Sequence, residues 1–318
     1  MLSKQLQDFI KESDLLRIIN RKQLKKEVYT MKKILCLLIA FTMILGAGMP
    51  EMVYARSKKV KNPAVVNLSL NTTYTGYDVN GDGKADTIRI SSIKSDVNAE
   101  MEIGLKVKIN GKEVLRKKEC YYYNLFASLY TLKNGKVYLY LYNPWDDDDA
   151  YYCGLYQYQK GKLKCVINMN RFYGSDKLGY HTNGSVKAVS GNKITVDISQ
   201  QNYEIGGINA SFDYIYSKGK LVKRTNMTRN FVCWAADDNG GRLTARNSIS
   251  VYTKTNCRKK DFILRPGNQI KIKGIYCKSG KMLLKVQRLS DGKTGYIKCM
   301  KHSPKDGYAP FKEVMYAG

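Results

Sequence analysis

The chain has 318 residues, and a prior of about 150 residues per domain makes two domains the expectation. Lysine and arginine number 54 against 27 acidic residues, a net charge of +27 that favours polyanionic partners without choosing among nucleic acid, anionic lipid and wall polymer. Tyrosine is over-used (25) while tryptophan (2) and proline (6) are scarce, and Asn-Gly, Lys-Gly and Asp-Gly pairs recur; this composition favours strands and tight turns over helices.

Residues 1–30 read as an upstream extension or a long n-region, with Leu15, Leu16, Ile18 and Ile19 among many charges. Residues 31–55 have the anatomy of a secretory signal peptide: Met31-Lys32-Lys33, an apolar run from Ile34 to Leu45, and a small-residue site allowing cleavage after Ala55. The apolar run falls short of the roughly 20 residues that span a bilayer, so no membrane span is expected after cleavage, a retained anchor being the alternative. Cys36 lies in that run without a lipoprotein-type context. The expected location is secreted or associated with the surface of a bacterial, Gram-positive cell. Seven cysteines follow: Cys120, Cys153, Cys165, Cys233, Cys257, Cys277 and Cys299. An odd number at irregular spacing is no disulfide framework, and no Cys-x-x-Cys pair points to zinc. Most are expected to be buried small hydrophobes, with a pair among the last three left open.

Residues 56–64 form a short basic linker, and residues 65–228 a β-repeat domain in which apolar and polar residues alternate. Early in it comes Asp78-Val79-Asn80-Gly81-Asp82-Gly83-Lys84-Ala85-Asp86, with oxygen-bearing side chains at loop positions 1, 3, 5 and 9 and glycine at position 6. A hard cation such as calcium needs many oxygens converging from a sharply turned backbone. Asp78, Asn80 and Asp82 would supply side-chain oxygens, Lys84 its carbonyl, Asp86 a direct or water-bridged ligand and Gly83 the turn. Position 12, where a helix-loop-helix calcium site needs glutamate, is Arg89, and a strand follows. The expectation is a structural Ca2+ of extracellular-grade affinity, on the order of 0.1 to 1 mM. A polar hairpin loop without metal is the other reading.

Two stretches recur. Gly135–Leu141 matches Asn192–Ile198 at an offset of 57, and Tyr156–Leu163, with its Lys160-Gly161 turn, matches Tyr214–Leu221 at an offset of 58. A weaker earlier copy runs from the acidic loop to Leu105–Lys112, giving three units of about 50–58 residues. Val137, Leu139 and Leu141 alternate with Tyr138, Tyr140 and Tyr142, so both faces of that strand are apolar enough to be covered by stacked sheets. Over roughly residues 70–225 the acidic loop and the Tyr-x-Tyr-x-Lys-Gly-Lys-Leu hairpins resemble the calcium-loop repeats of secreted β-propeller proteins, the FG-GAP/VCBS type. Three units are too few to close a ring, so the resemblance implies a partial propeller or stacked antiparallel sheets. Pro144-Trp145 and four aspartates, Asp146 to Asp149, read as a solvated loop tip, with a second cation site or pairing with nearby lysines as the alternatives. Tyrosine ladders can stack on sugars, but packing is the expected role of these.

Residues 229–243 read as a linker. Residues 244–318 hold five short strand-like pieces and a C-terminal tail. The Arg265-Pro266-Gly267 turn and the Asp291-Gly292-Lys293-Thr294-Gly295-Tyr296-Ile297 ending resemble the bacterial Src-homology-3-like domain of cell-wall proteins, which implies a small barrel. The fold class is thus all-β throughout.

His181 and His302 are the two histidines, neither has a metal-spaced partner, and no nucleophile-elbow, phosphate-loop or His-Glu-x-x-His motif is present. The expected function is non-catalytic: an envelope protein with a calcium-stabilised binding domain and a barrel that associates with anionic cell-wall polymer or peptidoglycan. A secreted carbohydrate-binding module reading glycans through Tyr138 and Tyr140 is the alternative, and a Cys/His hydrolase using Cys233 or Cys120 with His181 a third. Basic residues scattered through strands, together with export, argue against nucleic acid.

Overall fold

Among the described residues four strand-to-strand turns have both central residues at positive φ: Asn110-Gly111, Lys160-Gly161, Lys218-Gly219 and Ser279-Gly280. This is the mirror-image turn whose twist matches that of the strands it joins, and each one closes an antiparallel hairpin. The computed structural model describes residues 60–94, 102–122, 124–144, 150–174, 179–300 and 308–314. All of them belong to one compact unit, Lys59–Gly318. Residues 31–55, expected to be a signal peptide, the segment before them, the Asp-rich stretch 145–149 and His302 lie outside the described residues, as do the side chains of Cys120 and His181.

The chain is all-β, and its described residues build four antiparallel sheets. The first is a meander of β2 (Thr73–Tyr77), β3 (Asp86–Lys94), β4 (Glu102–Ile109) and β5 (Lys112–Tyr122). The second orders β6 (Phe126–Thr131), β7 (Val137–Pro144), β8 (Ala150–Gln159) and β9 (Lys162–Asn168), with β1 (Val65–Leu68) added beside β6. The third runs β10 (Gly179–Ser190), β11 (Lys193–Asn202), β12 (Gly206–Ser217) and β13 (Lys220–Lys223), and β15 (Phe231–Cys233) also pairs with β12. The fourth joins β14 (Met227–Thr228), β16 (Leu243–Thr244), β17 (Ile249–Tyr252), β18 (Lys260–Leu264), β19 (Gln269–Lys278), β20 (Lys281–Arg288) and β21 (Thr294–Lys298). One helical turn, α1 (Trp234–Asp237), follows β15. Among the described residues no helix is long and apolar enough to cross a membrane.

The second sheet is the middle layer. Val137, Leu139 and Leu141 point from β7 into a core shared with Ile88, Ile90, Leu105 and Val107 of the first sheet. Tyr138 and Tyr140 point the other way, into a core shared with Ile194, Val196, Ile198 and Phe212 of the third. Period-2 alternation with both sets apolar therefore gives a strand covered on both faces, as stacked sheets require. The second core continues without a break into the fourth sheet through Ile270, Leu284 and Val286. The stretch 229–243 is hydrogen-bonded at both ends, Asn209 pairing with Val232 and Leu243 with Ile270.

The barrel expected at the C-terminus is an open sheet, ordered β14-β19-β20-β21-β17-β18 with β16 also on β19. Closure would need β18 to reach the free edge of β19. That edge is already taken: Leu243 and Thr244 pair with Ile270 and Gln269, and Met227 and Thr228 pair with Tyr276 and Ile275. Gly274 makes the second pairing feasible, since a β-carbon there would lie 2.8 Å from the Thr228 carbonyl oxygen.

Candidate functional site

The loop between β2 and β3 is held by its own acidic residues. Asp78, 8 % exposed, accepts the Gly81 N–H on Oδ1 at 2.6 Å and the Gly83 N–H on Oδ2 at 2.8 Å. Gly81 and Gly83 both sit at positive φ, +85° and +86°, which lets the backbone curl over that carboxylate. Asp86 is more deeply buried, at 2 % exposed, and accepts four hydrogen bonds. Oδ2 takes the N–H groups of Val79 (2.7 Å) and Asn80 (2.9 Å); Oδ1 takes Nδ2 of Asn80 (2.7 Å) and of Asn110 (2.5 Å). Asn80 Oδ1 accepts the Asp82 N–H at 2.8 Å, and Asp82 Oδ1 the Lys84 N–H at 2.8 Å.

These bonds bear on the ligand set expected for calcium. Each carboxylate oxygen has two lone-pair sites. Asp86 has all four occupied by N–H donors, so it organises the loop and has no direct ligand site left. Asp78 keeps one site on each oxygen. Asn80 turns its amide nitrogen, not its oxygen, towards Asp82 Oδ2 (3.3 Å) and Asp86. The partial positive charge of that NH2 group stands between two carboxylates. Among the described residues no group of three or more His, Cys, Asp or Glu side chains is arranged to hold a metal ion.

Two residues that sequence reasoning missed complete the loop. Asn62 brackets Asp78, donating Nδ2 to its carbonyl (2.7 Å) and accepting its N–H (2.8 Å). Asn110, from the β4–β5 turn, reaches Asp86. Its place in an Asn-Gly turn is a signal for the turn; nothing in the spacing announces the second role.

The thiols are mostly interior. Cys153, Cys233, Cys257, Cys277 and Cys299 are free and buried, and Cys165 is free and exposed. Burial pushes the Cys153 thiol up to about 12 and the Cys233 thiol up to about 11, the opposite of an activated nucleophile. Tyr138 is fully buried and Tyr140 7 % exposed, so neither offers a face to a sugar.

A cationic groove lies on the outer face of the fourth sheet. It encloses about 560 Å3 and is lined by Arg229, Lys273, Lys285, Gln287, Thr294 and Asp237. Lys285 and Gln287 alternate along β20, and Gln287 pairs with Thr294 on β21, which puts them on one face. Among the described residues Arg229, Lys273 and Lys285 form no ion pair. The one carboxylate in the groove, Asp237, accepts the Cys233 N–H at 3.1 Å.

No family model, curated protein or solved structure matches this chain.

Proposed function

We propose that this chain is an exported, non-catalytic protein of a bacterial envelope, held to anionic wall polymer by its fourth sheet. The observation that carries this reading is the groove in which Arg229, Lys273 and Lys285 converge, none of them in an ion pair among the described residues. Cations left unpaired on a sheet face gain most from a polyanion, whose phosphate or carboxylate groups supply the missing counter-charge. The net charge of +27 extends the attraction beyond the groove. The buried thiols with raised pKa values support the non-catalytic reading.

The first three sheets are read as copies of one unit. The matched stretches fall at equivalent places, Val137–Leu141 and Ile194–Ile198 on the second strands of their meanders, with the Asn110-Gly111, Lys160-Gly161 and Lys218-Gly219 turns each joining third to fourth. Calcium is read as a staple of the first unit. Asp78 and Asp82 would hold it with the Lys84 carbonyl and, after rotation of its amide, Asn80, leaving Asp86 to act through water.

Retention on purified cell wall across a salt series tests the main reading. Binding should weaken steeply as salt rises from about 0.05 to 0.5 M, because exposed charges are screened over such a range. The Lys273→Glu, Lys285→Glu double variant should release the protein at lower salt. Absence of binding at every salt concentration would sink the proposal.

A further inference from the structure

A second site of different chemistry lies where the second sheet meets the third. Gly184 of β10 fixes the junction. Its carbonyl accepts the Tyr140 hydroxyl at 2.6 Å and the Cys153 thiol at 2.8 Å, both from the second sheet. A β-carbon on Gly184 would meet the Asp197 carbonyl oxygen and Ile198 Cδ1 of the neighbouring β11 at 2.7 Å each, so this position of β10 has room only for glycine. Gly184 faces the core, and alternation turns its neighbours Asn183 and Ser185 outwards, into a cleft of about 420 Å3.

The floor of that cleft is set by register. Asn183 pairs with Ser199 and Ser199 with Asn209; Ser185 pairs with Asp197 and Asp197 with Ser211. Directly paired residues share a face, so two rows of short polar side chains cross three adjacent strands. Asp197 is neutralised in place, Oδ1 accepting the Ser211 hydroxyl (2.5 Å) and Oδ2 lying 3.1 Å from Lys187 Nζ. Among the described residues the side chains of Ser185, Ser199 and Asn209 make no hydrogen bond. The wall is aromatic. Phe126, 55 % exposed, stacks on Tyr142 with centroids 5.9 Å apart and planes 21° from parallel.

We infer that this cleft binds a neutral pyranose sugar. A pyranose has an apolar C–H face and a rim of hydroxyls that both donate and accept. The cleft answers each: a ring pair for the C–H face, and unpaired Ser and Asn groups for the hydroxyls. In a chain of net charge +27, the cleft's one carboxylate is paired with a lysine, so no charged ligand is called for. The volume lies within the range of small-ligand sites and suits one or two rings. This site is separate from the cationic groove and stands without the wall-polymer reading.

The test titrates the full chain, by tyrosine fluorescence and calorimetry, with chitotetraose, cellotetraose, maltotetraose and mannotetraose. At least one should bind saturably, and Phe126→Ala should weaken it at least about tenfold. Phe126 is exposed, so its removal should leave the thermal melt unchanged; Asn209→Leu gives a second lesion, on the floor. Retention on anionic polymer should be the same for both variants as for the parent. No saturable binding of any of the four sugars would overturn the inference, and so would binding unaltered by both substitutions.

Discussion

Glu204, in the turn between β11 and β12, accepts the backbone N–H of Met300 at 3.1 Å, tying the third sheet to the chain just after β21. The carboxyl is 2 % exposed. Burial pushes its pKa from the ordinary 4.5 up to about 8, the Met300 bond pulling weakly the other way. The native state therefore keeps a proton that the unfolded chain has lost. Glu204 does not penalise folding below about pH 4.5; stability then falls as pH rises towards about 8, by up to about 1.4 kcal/mol per unit from this group alone. Glu204→Gln should remove most of that slope and raise stability at pH 8 by a few kcal/mol. Urea melts of both proteins at pH 5, 6.5 and 8 measure it, and parallel pH profiles would refute it.

The acidic loop separates two roles that the sequence merges. Asp86→Ala leaves four N–H donors without their acceptor and should cost on the order of 3 kcal/mol whether or not calcium is present. Asp82 accepts fewer bonds in an exposed position, so Asp82→Ala should cost well under 1 kcal/mol without calcium. Calcium at 5 mM should raise the Tm of the parent by several degrees and that of Asp82→Ala by much less. Thermal melts with calcium and with chelator decide the matter, and identical Tm values for the parent in both would count against calcium.

The middle sheet offers a pair of neighbouring probes with opposite signs. Leu139 is 1 % exposed between the first and second sheets, and Leu139→Ala should cost about 2–5 kcal/mol. Tyr138, on the opposite face, buries a hydroxyl with no hydrogen-bond partner among the described residues. Tyr138→Phe removes that desolvated group and should stabilise by about 1 kcal/mol. Equilibrium denaturation of the two variants checks both signs.

Much of this architecture is local chemistry and so was legible in the sequence. Period-2 alternation marks β3, β7 and β11, the Asn110-Gly111, Lys160-Gly161 and Lys218-Gly219 pairs sit at turns with two positive φ values, and the two apolar faces of Val137–Tyr142 are covered on both sides. The acidic loop was legible as a loop, with Gly83 at a turn. What stayed hidden depends on partners distant in sequence. Asn110 saturates Asp86 from 24 residues away. β14 and β16 occupy the edge of β19 that a closed barrel would have needed.

The sequence by itself determined that the chain is all-β, where its hairpins turn and which strand is buried twice, because alternation and turn propensity act within a few residues. Tertiary structure alone decided that Phe126 is exposed. It also decided that Asn183, Ser199 and Asn209 form one row, and that Arg229, Lys273 and Lys285 share a groove. The physical reason is register: which residues of separate strands face each other is set by long-range pairing and layer packing, and single-chain periodicity carries no record of it.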